Sequence, residues 1–229
     1  MDMIKLGIII PTRWDRPRFM DNCLGQISRQ TIYDIDGWPP PFVLPVDFAP
    51  EPGICDITKR YRIGYDAFRN QGLDLIACIE DDDCYASHYL EYMISEWLAA
   101  GKPDLFGTNY TEYYHLKLRR YFTMNHVQRS SMMNTFIKPD LDFEWCPDTT
   151  AYTDMHLWDN LKQLSRTLIH PDPPISIGIK HGEGMCGGFA HTNGMDNYTG
   201  PRGKEDGGLL RQVCDEKSFE FFSNYFNAP

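Results

Sequence analysis

Two short apolar runs constrain this fold most: IKLGIII at residues 4–10 and LDLIACI at residues 73–79. Each is rich in isoleucine and leucine and lacks polar alternation, the pattern of a strand buried on both faces in a parallel sheet covered by helices. Pro11 closes the first run, and Phe19, Cys23, Leu24 and Ile27 then recur at helical spacing, with Asp15 as the expected N-cap and Pro17 in the first turn. A second strand is predicted near residues 42–47, followed by a rigid loop within a proline-rich stretch. Ile57, Tyr61, Gly64 and Phe68 mark a second helix that stops at the Asn70–Gly72 turn. After the second apolar run, Tyr89, Leu90, Met93, Ile94, Trp97 and Leu98 mark a third helix, capped by Ser87, and DLFGTNY supplies another strand. Strand and helix alternate, so the expected architecture is α/β, an open, mostly parallel sheet flanked by helices.

The second half is less periodic. Residues 110–150 hold strand-like pieces rich in Tyr, Arg and Met, and a helical stripe returns only over 154–168 through Leu157, Leu161, Leu164 and Leu168. Ile177–Lys180 reads as a last strand entering a glycine-rich segment, which suggests a flexible loop over about 180–208, and Phe219–Phe226 reads as a helical tail.

The net charge of −10 disfavours broad binding to nucleic acid or anionic membranes. No apolar run reaches the length of a membrane helix, and the seven scattered cysteines, with no CxxC pair, suggest reduced thiols and a cytoplasmic location. No glycine pattern matches a P-loop or a strand-following dinucleotide fingerprint.

The sharpest chemical feature is Glu80-Asp81-Asp82-Asp83, four carboxylates directly after a buried strand, where open α/β sheets bind their ligands. Adjacent acids repel one another, and an oxygen-only donor set favours Mg²⁺ or Mn²⁺ over zinc. The bland alternative is a solvated acidic turn. Three elements in order resemble the nucleotide-sugar glycosyltransferases of the GT-A fold, particularly those of family 2. IIIPTRWDRPRFMDNCLGQISRQT is similar to their opening strand, loop and helix. Ala67-Phe68-Arg69-Asn70-Gln71-Gly72 resembles their Ala-Arg-Asn-x-Gly element with Phe68 inserted, and Glu80–Asp83 resembles their Asp-x-Asp metal motif with Glu in first position.

The resemblance implies a single GT-A-like domain over residues 1–229. Residues 1–109 would be the nucleotide-sugar-binding half and residues 110–229 the acceptor-binding half. Pro11, Thr12 and Arg13 would line the nucleobase pocket, Asp47 would bind base or ribose, Arg69 would contact the nucleotide, and Glu80 or Asp81 would hold the ribose side. Asp82 would be the principal ligand of Mn²⁺ or Mg²⁺, with Asp83 close by; a third ligand would come from His181, or from His191. Lys180, Arg202 and Lys204 would fold over the diphosphate. Asp154 is the implied base that deprotonates the acceptor hydroxyl in an inverting transfer, with Asp148 in reserve; the plain alternative is that Asp154 or Thr153 caps its helix. The acceptor could be a glycan, a small molecule or a hydroxymethylated DNA base. Only the aromatic residues Tyr110, Tyr113, Tyr114, Tyr121 and Phe122 and the basic cluster Lys117, Arg119, Arg120 and Arg129 point to the last. The rings could equally belong to the core. Two other readings stay open: a sugar nucleotidyltransferase, which would want a glycine-rich basic loop where this chain has Pro11-Thr12-Arg13-Trp14, and a non-catalytic nucleotide- or glycan-binding module.

Overall fold

The computed structural model describes residues 3–182 and 195–226. The first apolar run forms β1 (Leu6–Thr12), buried along its whole length. It lies between parallel neighbours, β2 (Phe42–Asp47) and β3 (Leu75–Cys78), with Ile9 opposite both Leu44 and Cys78. Its side chains alternate between two cores: Ile8 and Ile10 pack with Leu75, Ala77 and Trp97 on one face, and Ile9 packs with Ile76, Tyr61 and Trp158 on the other. Helix α1 (Pro17–Ser28) and helix α3 (Tyr89–Ala99) contribute to the first core, and α2 (Ile57–Phe68) and α4 (Thr153–Asn160) to the second.

β4 (Cys84–Tyr85), β5 (Leu105–Thr108), β6 (Tyr110–His115), β7 (Arg120–Asn125), β8 (Phe136–Ile137), β9 (Arg166–Ile169), β10 (Ser176–Lys180) and β11 (Lys204–Glu205) complete two sheets. The larger has the order β2-β1-β3-β8-β5-β9, mostly parallel, with the short β8 inserted antiparallel between β3 and β5. The smaller has the order β11-β7-β6-β10-β4, in which β10 runs parallel to β6 and antiparallel to β4. The chain leaves the larger sheet at Cys78 and joins the smaller at Cys84. The four carboxylates are therefore the crossover between the sheets.

Several local expectations are replaced by tertiary contacts. Asp15 does not cap α1: Arg16 occupies the cap position, and the Asp15 carboxylate is drawn to Arg13 at 2.6 Å. Ser87 does not cap α3. Gln30 reaches across from the end of α1 instead, accepting from the Leu90 N–H at 2.8 Å and donating to the Ala86 carbonyl at 2.9 Å. One turn earlier, Gln26 accepts from the Tyr85 N–H and donates to the Asp83 carbonyl. These two buried amides, four residues apart, satisfy the backbone where the chain changes sheets.

The stripe over 154–168 is not one helix. α4 ends at Asn160, and Arg166–Ile169 pairs with β5, tied by Asp104, which accepts from the Ser165 N–H and hydroxyl. Sheet pairing prevails over leucine spacing. The segment expected to be a flexible loop is partly regular: α5 (Met195–Thr199) and β11 lie within it, and residues 183–194 are outside the described residues. The tail is α6 (Leu209–Val213) followed by α7 (Glu216–Ser223), the latter capped by Asp215, which accepts from the Ser218 N–H. The expectation of reduced thiols fails at one pair, because the fold brings Cys84 and Cys214 together in a disulfide with a Cα–Cα distance of 5.9 Å. Among the described residues no helix is long and apolar enough to cross a membrane.

Gly64 sets how closely α2 approaches the sheet. A β-carbon there would lie 2.5 Å from Ile9 Cγ2 and 3.2 Å from Val46 Cγ2. Alanine raises helix propensity by up to about 1 kcal/mol, but overpacking a tight core costs about 1–3 kcal/mol. Gly64→Ala is therefore expected to lower the urea midpoint, a net destabilisation of about 1–2 kcal/mol; an unchanged or higher midpoint would mean that α2 has room to move outward.

Candidate functional site

The carboxylate crossover lies between two adjoining cavities. One, of about 500 Å³, is lined by Pro11, Arg13, Asp15 and Arg16 from the end of β1 and its loop, by residues 50–57 before and at the start of α2, and by Glu80, Asp81 and Asp82. The other, of about 310 Å³, is lined by Glu80, Asp83, Tyr113, Phe122, Arg129, Tyr152, Asp154, Tyr198 and methionines including Met124, Met132 and Met133. Ile57, Glu80, Ala151 and Lys180 line both. The strand ends, the start of α2 and the start of α4 all converge on this cleft.

Each carboxylate has its own environment. Glu80 accepts from the Tyr61 hydroxyl at 3.2 Å; burial and the neighbouring Asp82 push its pKa up to about 7. Asp81 accepts from the Thr12 hydroxyl at 2.7 Å and from Arg16 at 3.0 Å, yet burial and Asp82 raise it to about 6. Burial also works against charge on Asp82, but Arg16 at 2.9 Å, His181 at 2.9 Å and Lys180 outweigh it and hold Asp82 well below the usual carboxylate range. Burial and its acidic neighbours raise Asp83, although its carboxylate accepts from the Ile179 N–H at 2.7 Å. Carboxylate oxygens of Glu80, Asp82 and Asp83 all lie within 4.8 Å of one another. Three hard oxygen donors at that spacing, two of them kept from ionising by burial and repulsion, fit a hard divalent cation such as Mg²⁺ or Mn²⁺.

Pro11, Arg13, Glu80, Asp81 and Asp82 are thus brought to one cavity, with Thr12 behind it on Asp81. His181 reaches the cluster by bonding Asp82, and it packs 4.4 Å from the Phe19 ring. Asp154 lines the adjoining cavity. It is not a cap, since Tyr152 holds that position and makes no side-chain cap bond; Asp154 sits in the first turn of α4 and pairs with Arg129, while Thr153 bonds Thr58.

Other sequence candidates lie elsewhere. Asp47 is exposed at the end of β2, level with Thr12, outside both linings. Arg69 is exposed at the C-terminal end of α2, and it is the other end of that helix that meets the cleft. Asp148 is held by Arg62 at 2.8 Å on the surface, and His191 lies outside the described residues. Arg202 and Lys204 sit over the Phe122 and Tyr121 rings rather than in the larger cavity. The supposed basic patch is dispersed: Arg120 engages Glu205 and the Tyr198 and Gly203 carbonyls, and Arg129 engages Asp154. Tyr113 and Phe122 line a cavity, whereas Tyr110 and Tyr114 are core residues.

Two arginines escaped the sequence reading. Arg16, present in the Arg-Pro pair, binds Asp81 and Asp82 together. Arg60 is 1% exposed and gathers Asp56 with the carbonyls of Thr12, Val46 and Phe48, so it ties Asp56, in the lining of the larger cavity, to the ends of β1 and β2. Its i, i+4 spacing from Asp56 was a usable signal.

No family model matches the chain, and no curated protein matches it. Solved structures do. S. aureus TarS superposes with a TM-score of 0.54 at 11% identity over 77% of this chain and 37% of that one. S. aureus TarS 1–349 in complex with UDP gives 0.52 at 10% identity over 94% and 77%, and its complex with UDP-GlcNAc gives 0.54 at 9% over 98% and 72%. The chain therefore spans little more than a third of the first of these structures. At such identities the likeness is one of fold: this chain shares with TarS a mixed α/β architecture with a mostly parallel sheet and flanking helices.

The raised carboxyl pKa values predict opposite effects of pH on binding and stability. Glu80 and Asp83 must lose their protons before the three-carboxylate set holds a cation, so Mn²⁺ affinity measured by calorimetry should rise through about pH 7 and go on rising while Asp83 stays protonated, whereas the Asp81 proton lies outside that set. Without metal the folded state binds these protons more tightly than the unfolded chain, so stability should fall as pH rises from about 4 to about 7. Asp82, with its lowered pKa, costs stability only as pH falls below about 4. Urea midpoints that are flat across this range, with flat Mn²⁺ affinity, would show that the carboxylates ionise as in water.

Proposed function

We propose that this protein is a metal-dependent glycosyltransferase that moves a sugar from a nucleoside-diphosphate donor to a hydroxyl acceptor with inversion. The observation that carries the reading is the pair of cavities meeting at Glu80, one flanked by Asp82 and the other by Asp154. The likeness in fold to a protein solved with UDP and with UDP-GlcNAc supports a nucleotide-sugar donor.

In this reading the donor occupies the larger cavity, with Pro11 and Arg13 toward the base, Asp81 toward the ribose and Arg16 within reach of the diphosphate. Asp47 and Arg69 have no part in it, because neither lines the cavity. Asp82, with Glu80 and Asp83, would hold Mn²⁺ or Mg²⁺, which neutralises charge on the departing diphosphate when bound. His181 orients Asp82 rather than joining the three-carboxylate set. The acceptor lies in the smaller cavity, where Tyr113, Phe122 and Tyr198 offer ring faces and edges and the methionines fill irregular gaps. There the Asp154 carboxylate takes the proton from the acceptor hydroxyl, and the resulting oxygen attacks the anomeric carbon on the face opposite the leaving diphosphate. A base and a leaving group on opposite sides of the sugar give inversion. The donor half then corresponds to residues 1–109, and the acceptor half to residues 110–229.

Uridine diphosphate and UDP-sugars with Mn²⁺ are expected to raise the melting temperature by mass action, and Asp82→Asn should abolish that shift. Asp154→Asn should keep the shift while lowering transfer to acceptor by about 10²–10⁴-fold, the usual worth of a positioned general base. Full turnover by Asp154→Asn would remove the base assignment. The absence of any nucleotide-dependent shift, tested with other bases as well, would remove the donor site.

A further inference from the structure

Arg16 is placed where an incoming cation would compete with it. Its guanidinium reaches Asp81 at 3.0 Å and Asp82 at 2.9 Å, and its side chain is 11% exposed. The Asp82 oxygen it contacts, Oδ2, is the one that also bonds His181 Nε2. Phe19, one turn into α1, lies under both groups: its ring centre is 5.4 Å from the guanidinium carbon and 4.4 Å from the imidazole. The resting contact is incomplete, because buried Arg16 Nε has no hydrogen-bond partner among the described residues. A planar guanidinium presents Nε and Nη donors as a fork suited to paired oxygens, whether of carboxylate or of phosphate.

We propose that Arg16 is a built-in counter-cation of the cleft: it occupies Asp81 and Asp82 in the ligand-free protein, opposes the binding of a divalent cation to Asp82, and transfers to a diphosphate that shares the cavity. Arg16 is a positioning residue in this scheme. It costs the protein affinity for metal alone and makes metal and diphosphate bind as a couple. The inference rests on the metal site described above. It adds a sign that a merely structural arginine would not give, since deleting the side chain should strengthen metal binding. Two positive charges sharing one half-buried carboxylate repel strongly, whereas the diphosphate offers the guanidinium a second set of oxygens.

The test is Mn²⁺ titration, followed by calorimetry or by the loss of the free-ion paramagnetic resonance signal, of wild type and of Arg16→Met at one pH above the carboxylate range, without and with UDP. The expected result is Mn²⁺ binding tighter by roughly tenfold or more in Arg16→Met without UDP, and a smaller UDP enhancement of Mn²⁺ affinity than in wild type. Arg16→Lys, which keeps the charge but not the fork, should fall between the two, and it carries the test if Arg16→Met does not fold. Equal or weaker Mn²⁺ binding by folded variants overturns the role of Arg16 and leaves the metal site standing. Failure of wild type and variants alike to bind Mn²⁺ removes this inference and the metal site together.

Discussion

Four consecutive carboxylates can bridge the two sheets only if each is held by its own set of partners, and the rest of the molecule is arranged around that requirement. The Tyr61 hydroxyl serves Glu80, the Thr12 hydroxyl and Arg16 serve Asp81, Arg16 and His181 serve Asp82, and the Ile179 N–H serves Asp83. These partners come from α2, from the end of β1, from the start of α1 and from the end of β10. A carboxylate left without such a partner in this setting would carry the full cost of desolvation. The crossover thus fixes where both sheets and two helices must meet.

Helix α1 bears the largest share of this arrangement. Arg16 at its cap position and Phe19 in its first turn hold the charged groups, and Gln26 on its last turn and Gln30 just beyond its end bond the backbone from Asp83 to Leu90. The helix carries no side-chain cap of its own, so its position is set by these tertiary bonds and by the burial of Phe19, Cys23 and Ile27. Arg60 plays a similar part from α2, drawing together the ends of β1 and β2. Two strand ends and one helix are held by a single guanidinium.

What could be read from the sequence follows the range of the interactions concerned. β1, β2, β3 and the first three helices are announced by local periodicity, and the carboxylates by their position after a buried strand. Asp15 and Ser87 are capping residues by type, but Asp15 turns back to its neighbour Arg13, and the Leu90 N–H at the start of α3 is taken by Gln30, 60 residues away in the chain. β9 was hidden because its leucine spacing also satisfies a helix, and only pairing with β5 distinguishes the two. In the cleft, Glu80–Asp83, His181 and Asp154 were legible as residue types in order, whereas Arg69, linked to the nucleotide by motif, lies at the C-terminal end of α2, outside both cavity linings. Arg16 and Arg60 act through contacts up to 165 and 48 residues away in the chain, and of the two only Arg60, by its spacing from Asp56, leaves a local sign.

The charge balance of the larger cavity makes the case for an added cation independently of any motif. Its lining holds Arg13, Arg16 and Lys180 against Asp15, Glu51, Asp56, Glu80, Asp81 and Asp82. Arg13 is already engaged by Asp15, and Arg16 by two carboxylates, so the cations present are largely committed before a ligand arrives. An anionic diphosphate entering such a cavity meets a net negative wall in a chain whose overall charge is already −10. In a partly buried site that repulsion is not screened away by salt. In the proposed reading a divalent cation accompanies the anion while the existing cations exchange partners, and the geometry of Arg16 makes the second change a condition of the first.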